Sequence, residues 1–259
     1  MHMPPKIKAD PYDWPMVGDI LPSNTALIVI DMQNDFCSPG GYLEHQGYPL
    51  EPMRAPIPHI STLLNYFRSN RYPIFHTREG HRPDLSTLSP RELLRSRNNP
   101  SGLGIGDEGP LGRLLIRGEK GQDIIPELYP ITQSSLSEGG FGPEPVLDKP
   151  GKSAFVHTEL DLMLRVKGIR NLVVCGVTWE VCVGSTVREA MERGYDCLVV
   201  KDAIGYSEVT AKEGEQNRGM GGVEAVGVEG GIFGAWVAKA TQVVEALEGV
   251  ADETQKILL

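Results

Sequence analysis

Apolar runs of two kinds alternate along the chain. Short, nearly unbroken runs occupy residues 25–31 (Thr-Ala-Leu-Ile-Val-Ile-Asp), 72–76, 171–177 and 197–202 (Cys-Leu-Val-Val-Lys-Asp). Runs of this kind predict strands buried on both faces of a parallel sheet. Between them lie stretches with helical spacing. Residues 57–68 carry Ile57, Ile60, Leu63, Leu64 and Phe67 on one face. Residues 158–166 predict a helix with Thr158 as N-cap and Asp161 in its first turn. Further helices are expected over 180–193 and 235–247, and a short strand leads through 143–149 into Lys149. Strands alternating with helices predict a parallel, doubly wound sheet.

Proline and glycine mark the rest. Residues 1–22 hold Pro4, Pro5, Pro11, Pro15 and Pro22 and predict an extended arm, free or packed on another subunit. Loops are expected over 97–113 and 131–144, and over 209–231, which is rich in glycine and charge. With no repeat and no second core pattern, residues 23–259 are expected to form a single domain. The net charge of −9 and the lack of a basic patch exclude a nucleic-acid partner from the expectations. No apolar run reaches the ~18 residues of a membrane span, and the polar N-terminus does not resemble a signal peptide. Cys37, Cys175, Cys182 and Cys197 form no C-x-x-C pair and no zinc-type spacing. A reducing, cytoplasmic compartment is expected.

Candidate chemistry falls at strand ends. Asp31 closes the first run, Lys149 the strand before Pro150-Gly151, and Cys182 follows the strand 171–177 after Gly176-Val177-Thr178. Carboxyl ends of parallel strands are where α/β sheets bind ligands. A cysteine opening a helix there is favoured as a thiolate by unpaired N–H groups and the helix dipole. Taken singly, each has a plain alternative. Cys182 alone is a packing cysteine, Lys149 a surface lysine as Lys152 is expected to be, and Asp31 a loop cap. Cys37, Cys175 and Cys197 are expected in the core, Asp35 as a loop-structuring carboxylate, and Asp202 as a structural acceptor. His76, His81 and the glutamate between them leave a metal open as a minor alternative, and His157 a Cys–His pair.

Three segments in this order, Ile-Val-Ile-Asp-Met-Gln-Asn-Asp-Phe-Cys at 28–37, Asp-Lys-Pro-Gly-Lys-Ser-Ala-Phe at 148–155 and Cys-Gly-Val-Thr-Trp-Glu-Val-Cys-Val at 175–183, resemble the isochorismatase-like cysteine hydrolases. Their nicotinamidase, N-carbamoylsarcosine amidase, ureidoacrylate amidohydrolase and biuret hydrolase branches share this pattern, and biuret hydrolases also resemble residues 76–85 and 123–130. The resemblance implies a Rossmann-like three-layer α/β/α sandwich with a mainly parallel sheet of about six strands. It implies an Asp31–Lys149–Cys182 triad, an oxyanion hole from the backbone N–H groups of Thr178 and Cys182, and a cis peptide at Val177–Thr178. It further implies a pocket formed by Phe36, Tyr42, Phe155, Trp179 and Glu229, no cofactor and no metal, and a homo-oligomer, tetramer before dimer.

Physically such a triad is reasonable. A positive charge lowers a thiol pKa, a carboxylate relays its proton, and preorganised donors hold the oxyanion of an attacked carbonyl. The expected substrate is a small ureide or amide of the biuret or ureido-acid type. A nicotinamide, a carbamoyl amine, metal-free isochorismate chemistry or a catalytically silent binding protein are the alternatives. Trp179 stands where biuret hydrolases have a second threonine, and Glu229 where they have glutamine. A carboxylate there suits extra N–H donors or a cationic group on the substrate.

Overall fold

A computed structural model describes residues 6–132, 143–207 and 232–257. Its strands are β1 Thr25–Ile30, β2 Ile74–Glu79, a small hairpin of β3 Glu108–Gly109 and β4 Gly112–Arg113, β5 Val146–Lys149, β6 Asn171–Gly176, β7 Asp196–Ile204 and β8 Ala235–Val237. Six of them form one sheet in the order β5-β2-β1-β6-β7-β8. Every pairing in that sheet is parallel. The chain winds outward from β1 through β2 to β5, then returns to β6 on the other side of β1. That reversal is a topological switch point, and the crevice beyond it is where doubly wound sheets bind ligands.

The strand sequences explain the layers. All six residues of β1 are buried. Leu27 and Val29 join one apolar cluster, whereas Ala26, Ile28 and Ile30 join another, because successive side chains leave a strand on opposite faces. The first face is covered by the helix Ile57–Ser69 through Ile60, Leu63, Leu64 and Phe67, and by the helix Ala240–Ile257 through Val243 and Leu247. The second is covered by the helices Leu160–Val166 and Gly184–Glu192. This is the three-layer α/β arrangement expected from the sequence.

Several boundaries differ, each for a physical reason. β2 begins two residues after Tyr72 and runs on to Glu79. Its last three residues, Thr77, Arg78 and Glu79, are polar, so hydropathy loses the strand where it enters the site. Residues 235–247 are not one helix. Ala235–Val237 is the edge strand β8, and the helix starts at Ala240, whose N–H donates to Asp202 Oδ1 at 2.8 Å. A three-residue strand is too short to show a period. The helix Leu160–Val166 starts two residues after Thr158, whose Oγ1 accepts from Leu160 N at 3.2 Å. The loop expected at 97–113 contains the β3–β4 hairpin. Most of the expected 131–144 loop and all of 209–231 lie outside the described residues.

The described part of the proline-rich arm, residues 6–22, packs on its own chain. Ile7 pairs antiparallel with Trp14, and Asp10 exchanges backbone hydrogen bonds with Trp236 at 3.0 and 2.8 Å. Ile7, Trp14 and Ile20 are buried. The arm thereby covers the open edge of β8, which would otherwise expose unpaired backbone groups. Among the described residues no helix is long and apolar enough to cross a membrane.

The turn after β6 depends on Gly176. Its φ is +117°, and a Cβ there would lie 2.1 Å from the Ile30 carbonyl oxygen. Gly194 also has positive φ, +85°, but faces open space. Gly176→Ala is expected to lower the stability measured by urea unfolding by at least about 2 kcal/mol, whereas Gly194→Ala costs only the ~1 kcal/mol of backbone strain.

Candidate active site

Four neighbouring strands each present one ionisable side chain at the switch point. In sheet order they are Lys149 ending β5, Glu79 ending β2, Asp31 just beyond β1 and Cys182 beyond β6. Parallel register sets this alignment, with Glu79 opposite Lys149 and Ile30 opposite Thr77. Asp31 turns out of β1 with φ of 52°, a left-handed conformation that aspartate tolerates better than most residues. Its Oδ1 accepts the Thr77 hydroxyl at 2.7 Å and its N–H lies 3.2 Å from the Thr77 carbonyl.

Lys149 and Asp31 are both fully buried, and Lys149 Nζ lies 2.7 Å from Asp31 Oδ2. The ammonium also donates to the Gly151 carbonyl at 3.0 Å. Burial would lower its pKa, but Asp31, the Cys182 sulfur and Glu79 together raise it, so the lysine is charged. The same pattern repeats beside it. Lys152 Nζ lies 2.6 Å from Glu79 Oε1 and 3.4 Å from Glu92 Oε1. Glu79 Oε2 accepts from the Cys182 thiol at 3.5 Å and stands 3.9 Å from Lys149 Nζ. Burial opposes ionisation of Glu79, yet Lys152 and Lys149 hold its carboxyl below the usual range.

Lys152 therefore corrects the expectation of a surface lysine. The Pro150-Gly151 turn between the two lysines returns both ammonium groups to the same site, a signal present in Lys-Pro-Gly-Lys. Glu79 is the glutamate between His76 and His81, which the sequence offered only as a minor metal-ligand alternative. Its backbone is clamped by Gln33, which accepts from Glu79 N at 2.7 Å and donates to the Glu79 carbonyl at 2.9 Å.

Cys182 lies within the wide π-type turn Trp179–Val183 that precedes the helix Gly184–Glu192. The turn begins at Thr178, joined to Val177 by a cis peptide bond. It is anchored on both sides, by Val177 N to the Ile30 carbonyl and by Trp179 N to the Gly205 carbonyl, each at 2.9 Å. Burial pushes the Cys182 thiol well above its ordinary pKa, and Lys149 only partly offsets this. Burial thus opposes the thiolate that the strand-end position favours, while Lys149 and Lys152 support it.

A cavity of about 400 Å³ opens in front of the sulfur, its wall including Phe36, Tyr42, Glu79, Lys152, Thr178 and Cys182. Phe36 and Tyr42 meet edge to face with centroids 6.4 Å apart. Two expected pocket residues do not line it. Trp179 packs into the helix-side core with Arg188 5.9 Å from its ring centroid. Trp179 opens the π-type turn that carries Cys182 and is buried in the same apolar cluster, not at the cavity wall. Phe155 stacks on Tyr195 at 5.7 Å in the same core. Glu229 lies outside the described residues.

The remaining candidates have structural partners. Asp35 accepts from Tyr42 N at 3.2 Å and Leu115 N at 2.9 Å, strapping two loops over the site; burial raises its pKa to about 6. Asp202 holds the Ala240 N–H and His59. His76 bonds Glu144 at 2.9 Å, and His81 Nδ1 lies 3.2 Å from the Thr87 carbonyl. Neither histidine joins the carboxylates at the sulfur. Asp31, Glu79 and Cys182 each offer a ligand-type atom, all within 4.8 Å of one another, but the Lys149 ammonium already supplies a cation among them. Cys37, Cys175 and Cys197 are buried away from the cavity.

Fold and site together define a doubly wound α/β protein with a cysteine at the switch point, beside two lysine–carboxylate pairs. The isochorismatase domain model matches residues 25–224. The ureidoacrylate amidohydrolase RutB of Pantoea ananatis is 32% identical over 191 residues, 70% of this chain and 69% of that protein. A cysteine hydrolase from Pseudomonas syringae shares the fold with a TM-score of 0.71 at 23% identity, covering 95% of this chain and 98% of its own. The N-carbamoylsarcosine amidase from Thermoplasma acidophilum gives 0.51 at 25% identity, over 73% and 87% respectively. The chain belongs to the isochorismatase family of hydrolases.

Lys149→Met removes the cation that draws the Cys182 pKa down and leaves Asp31 unpaired. Alkylation of Cys182 by iodoacetamide, followed by peptide mapping between about pH 6 and 10, is expected to rise only on the alkaline side and to move higher still in Lys149→Met. Its urea midpoint is expected to fall by the equivalent of about 3–5 kcal/mol.

Proposed function

We propose that this chain is a cysteine-dependent amidohydrolase that cleaves a C–N bond of a small ureide or amide and releases ammonia through a thioester. The observation that carries the proposal is the cavity-lining Cys182 beside the buried Lys149–Asp31 pair, with 2.7 Å between ammonium and carboxylate. The thiol proton leaves as the sulfur attacks, with Asp31 as acceptor and Lys149 holding the sulfur's charge. The N–H groups of Thr178 and Cys182 stabilise the oxyanion. Collapse of the tetrahedral intermediate returns the proton to the leaving amine, and water then hydrolyses the thioester.

The cavity chemistry supports a polar substrate. Its wall carries Arg91, Arg95 and Lys152 against Glu79, Glu92 and Glu180, three cations facing three carboxylates. Donors and acceptors in balance suit a ureide, which offers both N–H and C=O groups. Kinship with an ureidoacrylate amidohydrolase points to the same class of C–N bond.

Ammonia release from biuret, triuret, ureidoacrylate, nicotinamide and N-carbamoyl amines is the direct test. Turnover is expected on at least one ureide and is expected to fall by more than about 10³-fold in Cys182→Ala. Absence of turnover on the whole panel, or full activity in Cys182→Ala, would overturn the proposal.

A further inference from the structure

We infer that Glu79 is the general base that activates water for hydrolysis of the thioester on Cys182. The inference rests on Cys182 being the nucleophile and assigns the second half of that reaction to a residue outside the Asp31–Lys149 pair.

Access comes first. Asp31 and Lys149 are both 0% exposed and do not line the cavity, whereas Glu79, Lys152, Thr178 and Cys182 do. Water reaching the thioester carbon arrives from the cavity, so it meets Glu79 before it can meet Asp31. The sheet order decides this, because β2 lies between β5 and β1 and sets its terminal residue between Lys149 and Asp31.

Hydrogen bonding changes with acylation. Glu79 Oε2 accepts the thiol proton at 3.5 Å, and the Lys149 ammonium at 3.9 Å is too far to donate to it. A thioester has no S–H. Acylation therefore removes that donor and leaves Oε2 within reach of the acylated sulfur, with a lone pair that a water fills. Oε1 stays tied to Lys152 at 2.6 Å, and Gln33 clamps the backbone on both sides of the residue. The carboxylate is thus aimed before the water arrives. The two lysines also keep it ionised at neutral pH, as a base must be.

The step balances. A water O–H bond breaks and its proton goes to Glu79 Oε2 while the oxygen bonds the thioester carbon. The tetrahedral intermediate collapses with cleavage of C–S, and the sulfur keeps that electron pair. Glu79 returns the proton to the sulfur, so thioester and water become acid and thiol.

The full-length protein with p-nitrophenyl acetate tests this without knowledge of the natural substrate. Wild type is expected to give a burst of one p-nitrophenolate per Cys182, followed by steady turnover. In Glu79→Gln the burst remains, steady turnover falls by about 10²-fold or more, and acetylated protein accumulates in the intact mass. Hydroxylamine, a nucleophile that needs no base, is expected to restore release in that variant. Glu79→Asp keeps a carboxylate and guards against misfolding of the glutamine variant; it too is expected to burst fully and turn over slowly. Wild-type steady turnover in Glu79→Gln, or loss of its burst along with the steady phase in folded protein, overturns the role of Glu79. A wild-type protein with no burst and an unlabelled Cys182 overturns the nucleophile itself.

Discussion

The buried Lys149–Asp31 pair constrains everything around it. Two charges withdrawn from water carry a desolvation cost of several kcal/mol each, which only close pairing and further hydrogen bonds offset. Here the ammonium reaches Asp31 and the Gly151 carbonyl, and the carboxylate also accepts the Thr77 hydroxyl. These partners come from the ends of β5, β2 and β1. The pair is satisfied only when the three strands hold their parallel register, so sheet topology and site geometry are one constraint. The left-handed backbone at Asp31 is the local strain accepted in return.

Around that pair the charges alternate. Asp31, Lys149, Glu79 and Lys152 sum to zero, and each carboxylate contacts an ammonium. A neutral quartet exerts less pull on a thiol than two lysines alone would. Burial adds to this and raises the Cys182 pKa, against the pull of Lys149 and Lys152.

The segments above the sheet close the site by backbone contacts instead of large apolar surfaces. Asp35 ties the Tyr42 and Leu115 amides together, and Gln33 joins Glu79 to Gln122. Such polar straps set the cavity wall with few residues, and they place Phe36 and Tyr42 against it.

The continuous apolar runs at 25–30 and 171–176 were enough to predict buried parallel strands, and they put Asp31 and Cys182 at strand ends. Helical spacing at 57–68 and the turn residues around Lys149 were equally legible. These signals are local, since they depend on which faces of a strand or helix meet water. The extent of β2, the short strand β8 and the partners of Glu79 and Lys152 were not legible. A polar strand end buried in a site has no hydropathic signature, and a three-residue edge strand has no period. Nor could spacing tell that Trp179 is buried in the core and does not line the cavity. Glu79 became part of the site only through the position of β2 between β5 and β1, and strand order is a property of the whole sheet. The chain by itself determined the strands and the residues at their ends; tertiary structure decided which of those residues share a proton, because contact between strand ends is settled by pairing across the sheet.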